Sequence, residues 1–99
     1  MMIYTLNGDN VEITDALRGF VGEKLARLDG QGVKSISADV SLKINGSEQT
    51  ASGTVRVDGQ DLTTITAAAS DMHTAVDRLV DKLYAQVRRH TQRLDGRRK

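Results

Sequence analysis

VKSISADVSLKINGSEQ, residues 33–49, carries the clearest structural signal in the chain. Apolar and polar side chains alternate over residues 36–44, which is the period of a β-strand with one buried face and one solvated face. Asn45-Gly46 follows directly, and this pair favours a two-residue hairpin because both residues tolerate a positive φ. The segment therefore predicts a half-buried strand that turns back into an antiparallel neighbour.

The flanking segments extend this hairpin into a sheet. ASGTVRV, residues 51–57, predicts the returning strand, Asp58-Gly59 predicts a second tight turn, and LTTITAAA, residues 62–69, predicts a fourth strand. Strands joined by such hairpins are antiparallel. MMIYTLNG, residues 1–8, predicts a first strand that reaches the next one through a helix, so we expect a parallel pair with a right-handed crossover.

A first helix is predicted between Thr14 and Gly30. Thr14 is a favoured N-terminal cap, and glycine is favoured just beyond the last turn. Gly19 and Gly22 weaken this helix by up to ~1 kcal/mol each relative to alanine, and we interpret that cost as tolerated rather than required by a close contact. The apolar face comprises Leu17, Val21, Leu25 and Leu28, with Phe20 at its edge.

A second helix is predicted from Ser70-Asp71 to about Leu94, with Gly96 as its stop. Its apolar stripe comprises Met72, Val76, Leu79, Val80, Leu83, Val87 and Leu94. The element order is then β-α-β-β-β-α, an α+β fold in which a four-stranded mixed sheet carries two helices on one face and leaves the other exposed. We expect residues 1–94 to form one domain and residues 95–99 to be a basic C-terminal tail.

Composition excludes several functional classes. The absence of cysteine excludes disulfides, cysteine-ligated zinc and thiol catalysis. No apolar run approaches the ~18 residues of a membrane span, and no signal-peptide pattern opens the chain, so we expect a cytoplasmic protein without a membrane partner. No nucleophile has an adjacent base and no phosphate-binding loop is visible, so we expect neither an enzyme nor a protein with a cofactor or a small-molecule substrate.

Charge is distributed unevenly along the chain. Residues 1–77 carry six Lys or Arg against eleven Asp or Glu, whereas residues 78–99 carry eight against two. This asymmetry favours contact between the basic end and a polyanion. A solvated basic tail is the plainer alternative.

The second helix gathers its cations on one flank. Like charges one turn apart destabilise an isolated helix by a few tenths of a kcal/mol, so stability alone would disperse them. The arrangement suits the regularly spaced charges of a nucleic-acid backbone. Complementation of the helix dipole accounts for only two or three of the cations. The cations within a flank about 60° wide are Arg78, Lys82, Arg89 and Arg93, and the opposite flank carries Asp77, Asp81 and Asp95. We also expect the last turns of the helix to extend beyond the sheet, with Arg88 and Arg97-Arg98-Lys99.

No apparatus for reading bases is visible in the sequence. The chain has three aromatic residues and lacks both the glycine-rich loop and the aromatic strand pattern of single-strand binders. We therefore expect contact with the phosphates and shape of structured RNA. An alternative from another class is a regulatory protein-interaction module that uses the exposed sheet face, with an incidental basic tail.

Two segments resemble a known family. NVEITDALRGFVGEKLARLD, residues 10–29, and SDMHTAVDRLVDKLYAQVRRHTQRL, residues 70–94, are similar to the ribosome hibernation-promoting factor and protein Y family, the ribosomal subunit interface proteins. The resemblance extends from Ile3 to Leu94 and implies a domain akin to double-stranded-RNA-binding folds. It also implies binding to the small ribosomal subunit, in the channel of messenger RNA and the anticodon ends of transfer RNA, where the domain blocks initiation and preserves idle ribosomes, often as inactive dimers.

The resemblance further implies which side chains face ribosomal RNA, with ribosomal proteins left open as additional partners. The long form of the family adds a dimerisation domain, so we expect a short form or the N-terminal part of a long one.

The chain departs from the family pattern at His73, where Tyr is usual, and at Ala85 and Thr91, where Arg and Lys are frequent; Arg88 and the terminal cations are expected to compensate. Carried over by position, the RNA-facing residues are Arg18, Lys24 and Arg27 on the first helix, Lys82, Arg89 and Arg93 on the second, and, less specifically, Lys43 on the second strand.

Four further residues have plainer interpretations. His73 and Asp77 stand one turn apart, but two ligands are too few for a defined metal site. His90 is predicted to be a half-buried packing residue near the helix end. Asp77 and Asp81 are predicted to form a solvated face that repels RNA from the wrong flank.

Overall fold

The computed structural model describes residues 2–29 and 36–97, and the side chains of residues 3–29 and 36–91. The predicted stop at Gly30 lies outside these residues. The elements are β1 (Met2–Asp9), α1 (Asp15–Leu25) with a 3₁₀ turn (Ala26–Leu28), β2 (Ile36–Asn45), β3 (Glu48–Val57), β4 (Gln60–Asp61), β5 (Ile65–Ala69) and α2 (Met72–Arg97). This order confirms the predicted α+β class.

The sheet has the predicted mixed topology. β1 pairs with β2 in parallel, and β2 pairs with β3 in antiparallel register from Ile36 opposite Val57 to Asn45 opposite Glu48. β4 and β5 both pair antiparallel with β3, on the side that β2 leaves open. The parallel pair is possible because α1 carries the chain from the end of β1 back to the start of β2.

The two hairpins use glycine in different ways. Asn45 closes β2, and the loop is Gly46-Ser47 rather than the predicted Asn45-Gly46. Gly46 has a φ of 64°, which gives the type II′ pattern with a positive φ at the first loop position only. Asp58 and Gly59 have φ values of 49° and 84°, which is the type I′ pattern predicted from that pair.

The predicted fourth strand is interrupted. Asp61 pairs with Arg56 and Ile65 pairs with Gly53, so residues 62–64 oppose only two residues of β3. The extra residue is a β-bulge, spanned by a 2.8 Å hydrogen bond from Leu62 N–H to the Val55 carbonyl. Leu62 and Ile65 both pack against the core, and two positions three residues apart reach the same face of a strand only if one residue is inserted between them.

The core lies between one face of the sheet and the two helices. The stripe predicted on α2 is buried as far as Val87, the last buried side chain in the described part of that helix. Gly53 of β3 lies beneath α2, where a Cβ atom would be 3.2 Å from Leu83 Cδ1, so this glycine allows the helix to pack closely on the sheet. The opposite sheet face is polar, with hydroxyl pairs such as Ser52 with Thr66 at 2.9 Å.

Both helices begin at the predicted caps. Thr14 Oγ1 accepts a hydrogen bond from Leu17 N–H at 3.1 Å, and Asp71 Oδ2 accepts one from Thr74 N–H at 3.0 Å. The predicted stop at Gly96 is wrong, since α2 runs through it to Arg97. A single glycine costs a helix only about 1 kcal/mol, which does not by itself end the helix.

One of the two α1 glycines is a contact residue. A Cβ atom at Gly22 would lie 2.5 Å from Tyr4 Oη, whereas nothing lies within 4 Å of the same position at Gly19. The interpretation of both glycines as merely tolerated is therefore wrong for Gly22, which makes room for the β1 tyrosine. Among the described residues, no helix is long and apolar enough to cross a membrane.

Candidate nucleic-acid interface

Three of the cations predicted to bind nucleic acid lie on the flank of α2 that runs beside β5. Arg78, Lys82 and Arg89 are exposed there, and we call these three residues the cationic flank. Arg78 Nη1 donates a 2.9 Å hydrogen bond to the Ala68 carbonyl of β5, which holds the guanidinium against the edge of the sheet. The side chain of Arg93 lies outside the described residues.

The charge on this flank is not neutralised internally. Over residues 2–29 and 36–91, no carboxylate lies within ion-pair distance of Lys82 or Arg89. Lys82 and Arg89 are two helical turns apart, roughly 10 Å along the axis, so each is accessible to a separate group of a polyanion.

The opposite flank of α2 faces α1 and is paired with it. Asp77 Oδ1 lies 3.0 Å from Lys24 Nζ, and Asp81 Oδ1 lies 2.7 Å from Arg27 Nη1. Asp77 and Asp81 are solvated, as predicted, with side chains 49% and 66% exposed, but each carboxylate also pairs with a cation of α1 or of the 3₁₀ turn that follows it. Helical periodicity on α2 alone could not reveal this, because the partners come from a segment about 50 residues earlier in the chain.

Aromatic rings lie between the same two helices. The rings of Phe20 and His73 have centroids 4.3 Å apart, and Lys24 Nζ is 5.5 Å from the Phe20 centroid. The Arg27 guanidinium is 5.1 Å from the Tyr84 ring. Such contacts add cation–π attraction to the ion pairs, so Lys24 of α1 and Arg27 of the 3₁₀ turn are held in defined positions against α2.

The remaining candidate residues are divided between surfaces. Arg18 is exposed on α1, and Arg88 is exposed on α2 at a position that continues the row of Asp81 and Tyr84. Lys43 is exposed on the polar face of the sheet, because its neighbours in β2 point towards the helices. The structure thus places Arg88 on the flank of α2 that faces α1, away from the cationic flank, and Lys43 on the polar sheet face.

A charged pair on the polar sheet face was not predicted. Arg56 Nε donates to Asp61 Oδ1 at 2.8 Å. This hydrogen bond and the attraction of the two charges lower the pKa of Asp61 and raise the pKa of Arg56. Their positions one tight turn apart on adjacent strands were the available sequence signal.

The remaining site predictions concern the histidines and possible metal ligands. His90 is half-buried, as predicted. In the described ranges, no group of three or more His, Cys, Asp or Glu side chains is arranged to hold a metal ion.

Comparison with known proteins places this geometry in a family. A family model described as Sigma 54 modulation protein / S30EA ribosomal protein matches residues 4–95. The chain belongs to this S30EA family. The match spans both segments on which the resemblance was based.

Named relatives and solved structures agree with this assignment to the S30EA family. Ribosome hibernation promoting factor of Escherichia coli strain K12 is 37% identical over 93 residues, covering 94% of this chain and 97% of that protein. The protein of the same name from Pseudomonas putida is 33% identical over 92 residues, covering 93% and 89%.

Two solved structures share the fold. The Thermus thermophilus Protein Y N-terminal domain superposes with a TM-score of 0.84 and 40% identity, covering 91% of this chain and 99% of that one. A ribosomal subunit interface protein from Coxiella burnetii gives a TM-score of 0.75 and 26% identity, covering 93% and 99%.

Proposed function

We propose that the protein binds the small ribosomal subunit and inhibits translation by occupying the channel used by messenger RNA and transfer RNA. Membership of a family whose relatives are named ribosome hibernation promoting factors supports the ribosomal partner. The contact is made to phosphates of ribosomal RNA by the cationic flank, with Arg18 and Arg88 as further exposed cations.

One observation carries the phosphate contact: the two flanks of α2 differ in how their charges are partnered. The acidic flank is matched by Lys24 and Arg27, whereas Lys82 and Arg89 have no ion-pair partner in the described part of the chain. When an exposed, unpaired cation binds a phosphate, it displaces counterions that are condensed on the nucleic acid. This release is the main source of sequence-independent affinity for nucleic acid.

Inhibition by this protein requires no chemistry. A domain held in the decoding channel excludes messenger and transfer RNA because two bodies cannot occupy the same volume. The rigid attachment of α2 to the sheet supports such a role, since the buried stripe ending at Val87 fixes the helix while the exposed flank remains free to bind.

Charge reversal of the flank tests the proposal. We expect Lys82→Glu, Arg89→Glu and Arg93→Glu together to abolish co-sedimentation with vacant small subunits in a sucrose gradient. The melting temperature should change little, because the described members of this set are exposed and unpaired. The same gradient with whole ribosomes reports whether they remain single or pair into inactive dimers.

A matched reversal on the other side of the molecule provides the control. Arg56→Glu changes charge on the polar sheet face, at a residue outside the predicted RNA contacts, and should leave sedimentation intact. If the sheet-face variant loses binding while the flank variant still migrates with small subunits, the cationic flank is not the contact surface and the sheet face is.

A further inference from the structure

The β-bulge is attached to α2 by a side chain of that helix. Leu62 and Thr64 both form hydrogen bonds with β3, one through its backbone N–H and the other through its hydroxyl. Thr63, between them, is therefore the residue that the bulge inserts. Its carbonyl accepts a 2.7 Å hydrogen bond from Gln86 Nε2, so the helix supplies the partner that β3 does not.

Gln86 lies on α2 between the buried stripe and the cationic flank. It follows Lys82 by four residues and precedes Arg89 by three, so these side chains leave the same side of the helix. Its neighbour Val87 is the last buried side chain in the described part of α2. At this level a cleft of about 420 Å³ opens between the helix and the bulge, and Arg89 lines it. The hydrogen bond to Thr63 thus holds α2 within one turn of Arg89, where the buried stripe ends.

Stability alone does not favour a glutamine at this position. The Oε1 atom of Gln86 is buried and has no hydrogen-bond partner among the described residues, and burial of an unpaired acceptor costs free energy. Thr63 is exposed, so water can replace the amide at its carbonyl. A methionine of similar size fills the same space without burying a polar oxygen. What the glutamine provides and a methionine does not is the Nε2 donor, which fixes the distance between helix and bulge.

We infer that Gln86 is a positioning residue for the RNA contact of Arg89. The inference deepens the proposed function and rests on it. Gln86 contacts no phosphate itself. Its bond to the bulge fixes the turn of α2 from which Arg89 projects, and a side chain that is already held in one direction loses less conformational entropy when it binds a phosphate.

A comparison of stability and affinity in the full chain tests the inference. Gln86→Met removes the donor, so affinity for vacant small subunits, measured by filter binding at constant salt, should fall about three- to tenfold, the cost of immobilising one long side chain on binding. The loss should not exceed that of Arg89→Gln, because Arg89 is displaced rather than removed. The melting temperature of Gln86→Met should equal or exceed that of the wild-type protein, because the buried unpaired oxygen is removed as well.

Gln49→Met is the matched control. Gln49 is also half-buried, and its Nε2 also donates to a backbone carbonyl, that of Ser70, at 3.4 Å. It lies beside the start of α2, away from the cleft and from Arg89. This variant should therefore keep the affinity of the wild-type protein for small subunits.

A double-mutant cycle shows through which cation Gln86 acts. In the Gln86→Met background, Arg89→Gln should lower affinity clearly less than it does in the wild-type protein, because the cation is already displaced. Arg18→Gln, on α1, should have the same effect in both backgrounds. A lower melting temperature of Gln86→Met, additive effects of Gln86→Met and Arg89→Gln, or unchanged affinity in Gln86→Met would each overturn the inference.

The charge reversal of the flank separates this inference from the proposed function. If Lys82→Glu, Arg89→Glu and Arg93→Glu together abolish sedimentation while Gln86→Met binds as tightly as the wild-type protein, the positioning role falls and the ribosomal function stands. If the reversal leaves sedimentation intact, the proposed phosphate contact falls, and the positioning role falls with it because Gln86 acts only through Arg89.

Discussion

Asp81 of α2 accepts a 2.7 Å hydrogen bond from Arg27 beyond the end of α1, so a carboxylate of one helix engages a cation that the family resemblance assigns to ribosomal RNA. Asp77 engages Lys24 in the same way at 3.0 Å. A phosphate that approaches either cation therefore meets an acid already bound to it. Under the proposed function, the two aspartates compete with the RNA backbone for these cations.

Removing the Asp77 and Asp81 carboxylates should strengthen binding to the small subunit. The side chains of both pairs are between 36% and 66% exposed, so each pair is worth about 0.2–1 kcal/mol. Asp77→Asn with Asp81→Asn removes both competing carboxylates, so affinity for the small subunit should rise roughly 2- to 30-fold, as measured by filter binding at constant salt.

The expected rise in affinity for the small subunit must come from the loss of the two ion pairs rather than from the change in the net charge of the protein. Glu23→Gln with Glu48→Gln removes the same two negative charges, but neither glutamate forms an ion pair with a described residue. This control should gain clearly less affinity. An equal gain in both double variants would show that Asp77 and Asp81 act only through the long-range field of the protein.

Salt dependence should distinguish flank cations from paired ones. Each phosphate neutralised by the protein contributes about 0.7–0.9 to the slope of log affinity against log salt concentration. Lys82→Gln should therefore reduce the slope for small-subunit binding by about 1. Arg56→Gln should leave it unchanged, because Arg56 lies on the polar sheet face and is engaged by Asp61. Equal slopes in Lys82→Gln and the wild-type protein would remove Lys82 from the interface.

The elements that could be predicted from sequence are those that local chemistry determines. The alternation of apolar and polar residues over 36–44 places one face of β2 in the core. Asp58-Gly59 forms the turn between β3 and β4 because both residues accept a positive φ. Thr14 and Asp71 cap their helices with their own side chains. None of these features needs information from a distant segment.

The features that could not be predicted depend on residues far apart in the chain. The bulge at residues 62–64 exists because Leu62 and Ile65 both pack towards α2, which no local pattern indicates. The wheel of α2 predicted the opposed flanks, but it could not show that Lys24 neutralises Asp77. The unsatisfied oxygen of Gln86 depends on the bulge and was equally inaccessible to sequence reasoning.

The two α1 glycines should respond differently to alanine. Gly19→Ala should stabilise the protein by up to ~1 kcal/mol through helix propensity, because its Cβ position is open. Gly22→Ala should be less stable than Gly19→Ala by about 1–3 kcal/mol, since the new methyl group displaces Tyr4 Oη. Urea unfolding of each variant measures the difference.

A double variant tests the cause of the Gly22 effect. Tyr4→Phe removes the oxygen that lies 2.5 Å from the built Cβ position, so Tyr4→Phe with Gly22→Ala should recover most of the lost stability. Additive effects of the two substitutions would mean that the tyrosine hydroxyl is not what Gly22 accommodates.

The cap of α2 should make stability depend on acid pH. Hydrogen bonds from the hydroxyl and then the backbone N–H of Thr74 lower the pKa of Asp71 in the folded protein. Because the unfolded chain lacks these bonds, the pKa of Asp71 is higher there than in the folded protein. The contribution of Asp71 to folding stability is therefore fully present above the unfolded pKa and is lost as pH falls through the lowered folded pKa.

Asp71→Asn keeps a good cap but cannot titrate. Its melting temperature should therefore lie below that of the wild-type protein near neutral pH, with the difference shrinking between about pH 5 and pH 2. Parallel melting curves of the two proteins over that range would show that the Asp71 charge does not stabilise α2.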